Sequence, residues 1–297
     1  MTDRIIFFGT EAFSADALRA LIAAKFNVVA VVTKPDQPKG RGHKLTEPLV
    51  KTIAREHDIP VWQPTKLADV AEQITSLQPV AGVLVSYGKI IPQSIIDLFT
   101  PGIINVHPSL LPRYRGPSPI EAAIMHRDNQ TGVTIMQLSA AMDAGPIYTQ
   151  RTIPLDHTET KPALYATLSN IGNQLLIDTL PDILSGALTP TPQNDADATY
   201  CSLLSKQDGL LNPAELTAVQ AEARVRAFLS FPRTRLQFGD QTLIVTRAHV
   251  SKTAETPLSV QFFDDNHLTP DELIAPSGKT MTAEAFLRGH SYASNKM

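Results

Sequence analysis

Cysteine is nearly absent: Cys201 is the single one in 297 residues. That excludes an internal disulfide and fits a reducing compartment, while leaving a reactive thiol open. Long apolar runs are missing too. No stretch approaches the roughly 20 apolar residues that span a bilayer, and Met1-Thr-Asp-Arg4 leads directly into a short apolar strand rather than a signal-peptide pattern. The expectation is a cytoplasmic protein. An excess of positive charge is also lacking, since 26 Lys and Arg stand against 29 Asp and Glu. Without a global pull toward nucleic acid, any such contact has to be a local patch. No Cys and His residues cluster at ligand spacing, so no metal is expected. Gly9-Thr10 follows the first strand pattern, but the Gly-x-Gly-x-x-Gly series is missing, which argues against a nicotinamide site.

What is present is an α/β pattern long enough for two domains, with 43% hydrophobic residues to fill their cores. Strand patterns at Ile5–Phe8, Val28–Thr33, Val61, Val83–Ser86 and Ile103–Val106 alternate with helical ones at Ala12–Ala24, Val50–His57, Leu67–Leu77 and Pro119–His126. Such alternation predicts a doubly wound, mostly parallel sheet with helices on both faces. Ala187–Ala198, with Pro190 and Pro192, reads as a linker. Expected boundaries are 1–189 for the larger domain, 190–206 for the linker and 207–297 for the smaller domain. In the last of these, Pro213–Leu229 reads as a helix ahead of strands at Thr234–Phe238 and Thr242–His249.

Chemistry concentrates in Asn105-Val-His107-Pro-Ser109-Leu-Leu-Pro112 and Met142-Asp143-Ala-Gly145. The apolar run from Gly102 to Val106 stops at His107-Pro108, where proline removes a backbone donor. Residues two apart on a strand share a face, which puts Asn105 beside His107. An amide donor stabilises a developing oxyanion, an imidazole relays a proton near pH 7, and a carboxylate such as Asp143 orients and charge-stabilises that imidazole. By residue type alone, the plainer alternative stays open: a histidine satisfied within a strand, with Asn and Asp serving turns.

These segments resemble the signature of the folate-dependent formyltransferases. Within that superfamily, Arg4-Ile-Ile-Phe-Phe-Gly-Thr10, Thr33-Lys-Pro-Asp-Gln-Pro-Lys-Gly-Arg-Gly-His-Lys-Leu45 and Pro112-Arg-Tyr-Arg-Gly-Pro-Ser-Pro-Ile120 resemble the branch acting on methionyl-tRNA. The second segment discriminates, because the sugar and purine relatives lack such a loop. The resemblance runs from about residue 4 to about residue 250 and implies transfer of a formyl group from 10-formyltetrahydrofolate, as co-substrate, to the α-amine of methionyl initiator tRNA for translation initiation. It implies Asn105, His107 and Asp143 as catalytic residues. It places the folate against Tyr87, Gly88, Ile90, Ser109, Leu110, Leu111, Pro112 and Asp143. It also implies a monomer with no membrane partner. A sugar-nucleotide N-formyltransferase is the alternative reading.

Thr33–Leu45 carries Lys34, Lys39, Arg41 and Lys44 around Pro38, Gly40 and Gly42. Composition alone leaves a solvated surface loop open; the resemblance implies entry into the tRNA acceptor stem by Arg41, supported by Lys39, His43 and Lys44. Arg113 and Arg115 either face RNA or pair with Glu121. The family resemblance also implies a small OB-like β-barrel at the C-terminus. Relative to that pattern, the stretch from His249 to Leu273 is short by about one hairpin, and residues 206–297 balance ten Lys or Arg against ten Asp or Glu. The expectation is a shortened barrel without a basic face.

Overall fold

The computed structural model describes residues 3–39, 44–238 and 241–289, with the side chains of Lys39 and Lys44 excepted. In chain order the elements are β1 (Arg4–Gly9), α1 (Ala12–Ala23), β2 (Asn27–Val32), β3 (Gln37–Lys39), β4 (Lys44–Thr46), α2 (Leu49–Glu56), β5 (Val61–Trp62), α3 (Ala71–Leu77), β6 (Ala81–Val85), α4 (Gln93–Ile96) and β7 (Ile103–His107). They continue with α5 (Pro119–Met125), β8 (Gln130–Gln137), β9 (Ile147–Pro154), α6 (Lys161–Leu184), α7 (Ala218–Ala227), β10 (Thr234–Phe238), β11 (Gln241–Ser251), β12 (Val260–Gln261), β13 (His267–Ile274), β14 (Thr280–Thr282) and α8 (Ala283–Arg288). Among the described residues, no helix is long and apolar enough to cross a membrane.

The chain forms two compact units, the first made of residues 1–116, 132–153 and 165–200. Its seven-stranded sheet runs β5-β2-β1-β6-β7-β8-β9. β5, β2, β1, β6 and β7 are parallel, and β8 joins β7 antiparallel. Ile5, Ile6, Phe7 and Phe8 are all fully buried. A strand covered on both faces has to be apolar at consecutive positions rather than alternating ones, which is why this run reads as it does. Each such side chain contributes about 1.5–3 kcal/mol on burial. From β1 the chain winds outward to β2, then returns to the other side at β6. The crevice between β1 and β6 is therefore the switch point, where ligands of open α/β sheets collect at the carboxyl ends of strands.

The second unit comprises residues 117–131, 154–164 and 201–297. Its sheet is antiparallel, in the order β10-β11-β13-β12 with β14 on β13. Leu236, Phe238, Leu243, Val245, Leu268 and Leu273 pack there with Val225 of α7 and Phe286 of α8. This is a half-barrel, in keeping with the shortened OB-like domain expected. After His249, β11 extends to Ser251, but only the two-residue β12 fills the space before β13. The helix expected over Pro213–Leu229 is confined to α7. Thr217 caps it, its hydroxyl accepting from Gln220 N–H while the Gln220 side chain accepts from Thr217 N–H.

Several elements lie beyond the sequence reading, and two stand out. One is α6, a 24-residue helix carrying Pro181 in its interior near the C-terminal end. The other is the hairpin β3–β4, which gives the Thr33–Leu45 loop a paired stem: Gln37 opposes Thr46 and Lys39 opposes Lys44.

Candidate active site

β7 ends the central part of the sheet, flanked by β6 and β8. Asn105 lies opposite Leu84 of β6 and Met136 of β8, and His107 lies opposite Thr134. Asn105 is 4% exposed and His107 6% exposed. The Asn105 amide makes no hydrogen bond among the described residues. A buried amide with that capacity unspent offers a donor to a ligand oxygen.

The His107 ring is oriented by the backbone. Its Nε2 lies 2.9 Å from the carbonyl oxygen of Tyr114, which only accepts, so Nε2 carries the hydrogen and donates. Nδ1 therefore faces the Asp143 Oδ2, at 3.8 Å. That separation exceeds a hydrogen bond. The Tyr114 carbonyl thus holds the imidazole through Nε2, and the Asp143 carboxylate, expected to orient the ring, stands beside its other nitrogen. Asp143 is itself anchored, its Oδ2 accepting from Gly116 N–H at 2.8 Å.

Asp143 has a left-handed backbone, with φ of 47°. A Cβ on Gly145 would lie 1.9 Å from the Gln137 carbonyl oxygen, so only glycine fits that approach. Gln193 closes the turn, its Nε2 donating to the carbonyl oxygens of Asp143 at 2.8 Å and Gly145 at 2.7 Å. The segment read as a linker is thus pinned across the site. Thr191 exchanges two backbone hydrogen bonds with Ile147, and Arg115 N–H donates to the Thr199 carbonyl.

Arg115 is 2% exposed. Its Nη2 lies 2.7 Å from Asp195, Nε and Nη2 donate to Gln193 Oε1, and Nη1 donates to the Tyr200 hydroxyl. Its guanidinium is turned inward, and Glu121 pairs with Lys161 at 2.6 Å. Arg113 donates to the Tyr114 hydroxyl and stacks over its ring. Sequence reasoning missed Gln193 and Arg115 as members of this site.

The residues expected around the folate divide by exposure. Ser109 is fully buried, its hydroxyl donating to the Arg113 carbonyl at 2.6 Å. Leu111 is 3% exposed, and its carbonyl accepts from the Gln150 amide. Both build the loop from within, while Leu110 and Pro112 are half-buried. Tyr87 is 1% exposed and packs edge-on to Phe8. Its hydroxyl has no partner among the described residues, and burial pushes its pKa up to about 12, which keeps it neutral. Gly88 has φ of 69°, and a Cβ there would sit 2.3 Å from Lys34 Nζ. Ile90 is 86% exposed.

Across the switch point the Thr10 hydroxyl donates to the Tyr87 carbonyl at 3.0 Å. Beside it opens a cleft of about 320 Å³ lined by Thr10, Glu11, Lys34, Pro35, Gln37, Thr46 and Pro48. The root of the hairpin is tied down at Asp36, which accepts from Gln63 Nε2 at 2.7 Å and from Lys51 Nζ at 2.7 and 2.8 Å. The Gln63 amide and then Lys51 hold the Asp36 carboxyl below the usual carboxylate range. Arg41 and His43 lie outside the described residues, as do the side chains of Lys39 and Lys44. Among the described residues no group of three metal-ligating side chains is gathered.

Residues 3–180 match the formyl transferase family. The methionyl-tRNA formyltransferase of Halorhodospira halophila is 44% identical over 249 residues, covering 84% of this chain and 80% of that protein. That of Trichlorobacter lovleyi is 37% identical over 301 residues, covering 98% and 95%. Among solved structures, an N-formyltransferase from Helicobacter canadensis, in complex with folinic acid and dTDP-3-aminofucose, superposes with a TM-score of 0.66 at 18% identity, covering 91% of this chain and 99% of that one. HypX from Aquifex aeolicus with tetrahydrofolic acid gives 0.66 at 15%, covering 97% and 47%. At that identity the structures establish the fold, and the sequence relatives establish the branch. With a buried amide and imidazole on β7 and a half-buried carboxylate in the turn beside them, this chain belongs to the formyl transferase family, among the methionyl-tRNA formyltransferases.

Proposed function

We propose that this protein transfers the formyl group of 10-formyltetrahydrofolate to the α-amine of methionyl initiator tRNA in the cytoplasm, with Asn105, His107 and Asp143 as catalytic residues. The observation that carries the assignment of roles is local: Asn105 and His107 share one face of β7, and Asp143 Oδ2 stands 3.8 Å from His107 Nδ1.

An α-amine has a pKa of about 8 and must shed a proton before it attacks. Asp143 accepts that proton, with His107 Nδ1 as the relay, since Nε2 is committed to the Tyr114 carbonyl. As nitrogen bonds to the formyl carbon, the carbonyl oxygen becomes an oxyanion, and the Asn105 amide donates to it. Collapse breaks the bond from that carbon to the folate nitrogen. His107 returns the proton to the departing nitrogen. The amine gains the formyl group, the folate regains N–H, and the side chains end as they began.

The folate donor suits the switch-point crevice, where the 86–90 loop reaches the ends of β1 and β2 through Tyr87 and Gly88. The cleft between those strand ends and the hairpin stem suits the acceptor end, with Arg41, Lys39, His43 and Lys44 reaching the RNA. The test is an acceptor assay with methionyl-tRNA, amino-sugar nucleotides and water in parallel, all with 10-formyltetrahydrofolate. Formyl-methionyl-tRNA is the expected product. Preference for the amino sugar, or release of formate with no acceptor formylated, would overturn the assignment.

A further inference from the structure

We propose that Gln193 and Arg115 are positioning residues for Asp143, making the irregular segment after α6 a working part of the active site. The inference rests on the catalytic role assigned to Asp143 above.

Arg115 Nε and Nη2 both donate to Gln193 Oε1, at 3.1 and 2.9 Å. A guanidinium only donates, so the oxygen of this amide is fixed on the arginine side and the amide cannot flip. Its nitrogen must then face the Asp143 turn, where it meets the carbonyls of Asp143 and Gly145. Both amide hydrogens are spent there. Asp143 keeps a left-handed φ of 47°, sparsely populated by residues other than glycine, so the turn needs outside contacts to persist. Gly116 N–H holds the carboxylate and Gln193 holds the backbone, and Gly116 directly follows Arg115 in the chain. Two restraints that originate at neighbouring residues thus determine where the carboxylate stands relative to His107. Arg115 is buried and ion-paired to Asp195, two residues beyond Gln193, so the same guanidinium fixes both the amide and the segment that carries it.

Gln193→Glu is the discriminating variant. It keeps the size of the side chain and strengthens the pairing with Arg115, but it turns two donors into acceptors facing two carbonyl oxygens. We expect kcat per folded enzyme for formyl transfer to fall about tenfold or more, KM for folate and tRNA to stay near wild type, the acid limb of the kcat–pH profile to move, and Tm to fall while the protein stays folded at the assay temperature. Arg115→Lys, which loses the bidentate contact, should do the same more weakly. In an Asp143→Asn background, Gln193→Glu should add little further loss. Wild-type kcat and pH profile in Gln193→Glu would overturn the proposal, as would a loss that merely follows the folded fraction or falls on KM alone. If Asp143→Asn is itself fully active, the catalytic assignment fails instead, so the two failures are distinguishable.

Discussion

At the scale of single residues, the site depends on which atoms are already occupied. His107 has one ring nitrogen committed to a backbone carbonyl, leaving Nδ1 for chemistry, and the Asn105 amide is uncommitted among the described residues. Asn105→Ala should therefore lower kcat by about 100- to 1,000-fold, the usual effect of deleting an oxyanion donor. Because no intramolecular hydrogen bond is lost, Tm should shift little. Single-turnover kinetics beside thermal melts would check this, and a melt lowered in proportion to the activity would assign Asn105 to the scaffold. Strand periodicity was enough to pair Asn105 with His107, since residues two apart on β7 must share a face. Periodicity could not reveal that the Tyr114 carbonyl sets the tautomer. A backbone acceptor leaves no mark in residue type.

At the scale of elements, the hairpin β3–β4 carries the basic loop, and its root is the cluster of Asp36, Lys51 and Gln63. The depressed Asp36 carboxyl contributes stability that is present above its ordinary value of 3.8 and lost as pH falls through the lower folded value. Asp36→Asn should raise KM for methionyl-tRNA severalfold while sparing KM for folate. Its Tm deficit against wild type should be complete at neutral pH and shrink on acidification below that range. A deficit that grows on acidification would contradict the anchoring role. The alternating β/α elements were legible because their periods are local, down to α2, β5 and α5. The segment after Leu184 was not. Proline and small polar residues mark it as irregular, yet irregular backbone is as compatible with a pinned strap as with a free linker, and Gln193 meets its partners 48, 50 and 78 residues away.

At the scale of the whole molecule, the second unit shows a charge arrangement that composition conceals. His249 on β11 lies 2.8 Å from both Glu255 and Asp271, and Arg247 lies 3.9 Å from Asp271. Glu255 first and Asp271 next raise the His249 pKa above its ordinary 6.5. The stability contributed is complete below that value and is lost as pH rises through the higher folded value. His249→Gln should thus cost Tm at about pH 6 and cost nothing well above neutrality. Thermal melts across that range test it; a constant difference would show that packing, not charge, is the contribution.

The amino-acid sequence by itself determined the alternating elements, the shared face of Asn105 and His107, the shortened second domain and the branch of the family, because each is carried by residue type and short-range spacing. Only the tertiary structure decided which ring nitrogen of His107 is free, that Asp143 stands beside it without touching it, and that Arg115 and Gln193 hold the turn between them. Those facts are set by hydrogen bonds between segments far apart in the chain, and the partners in several are backbone carbonyls, which every residue has.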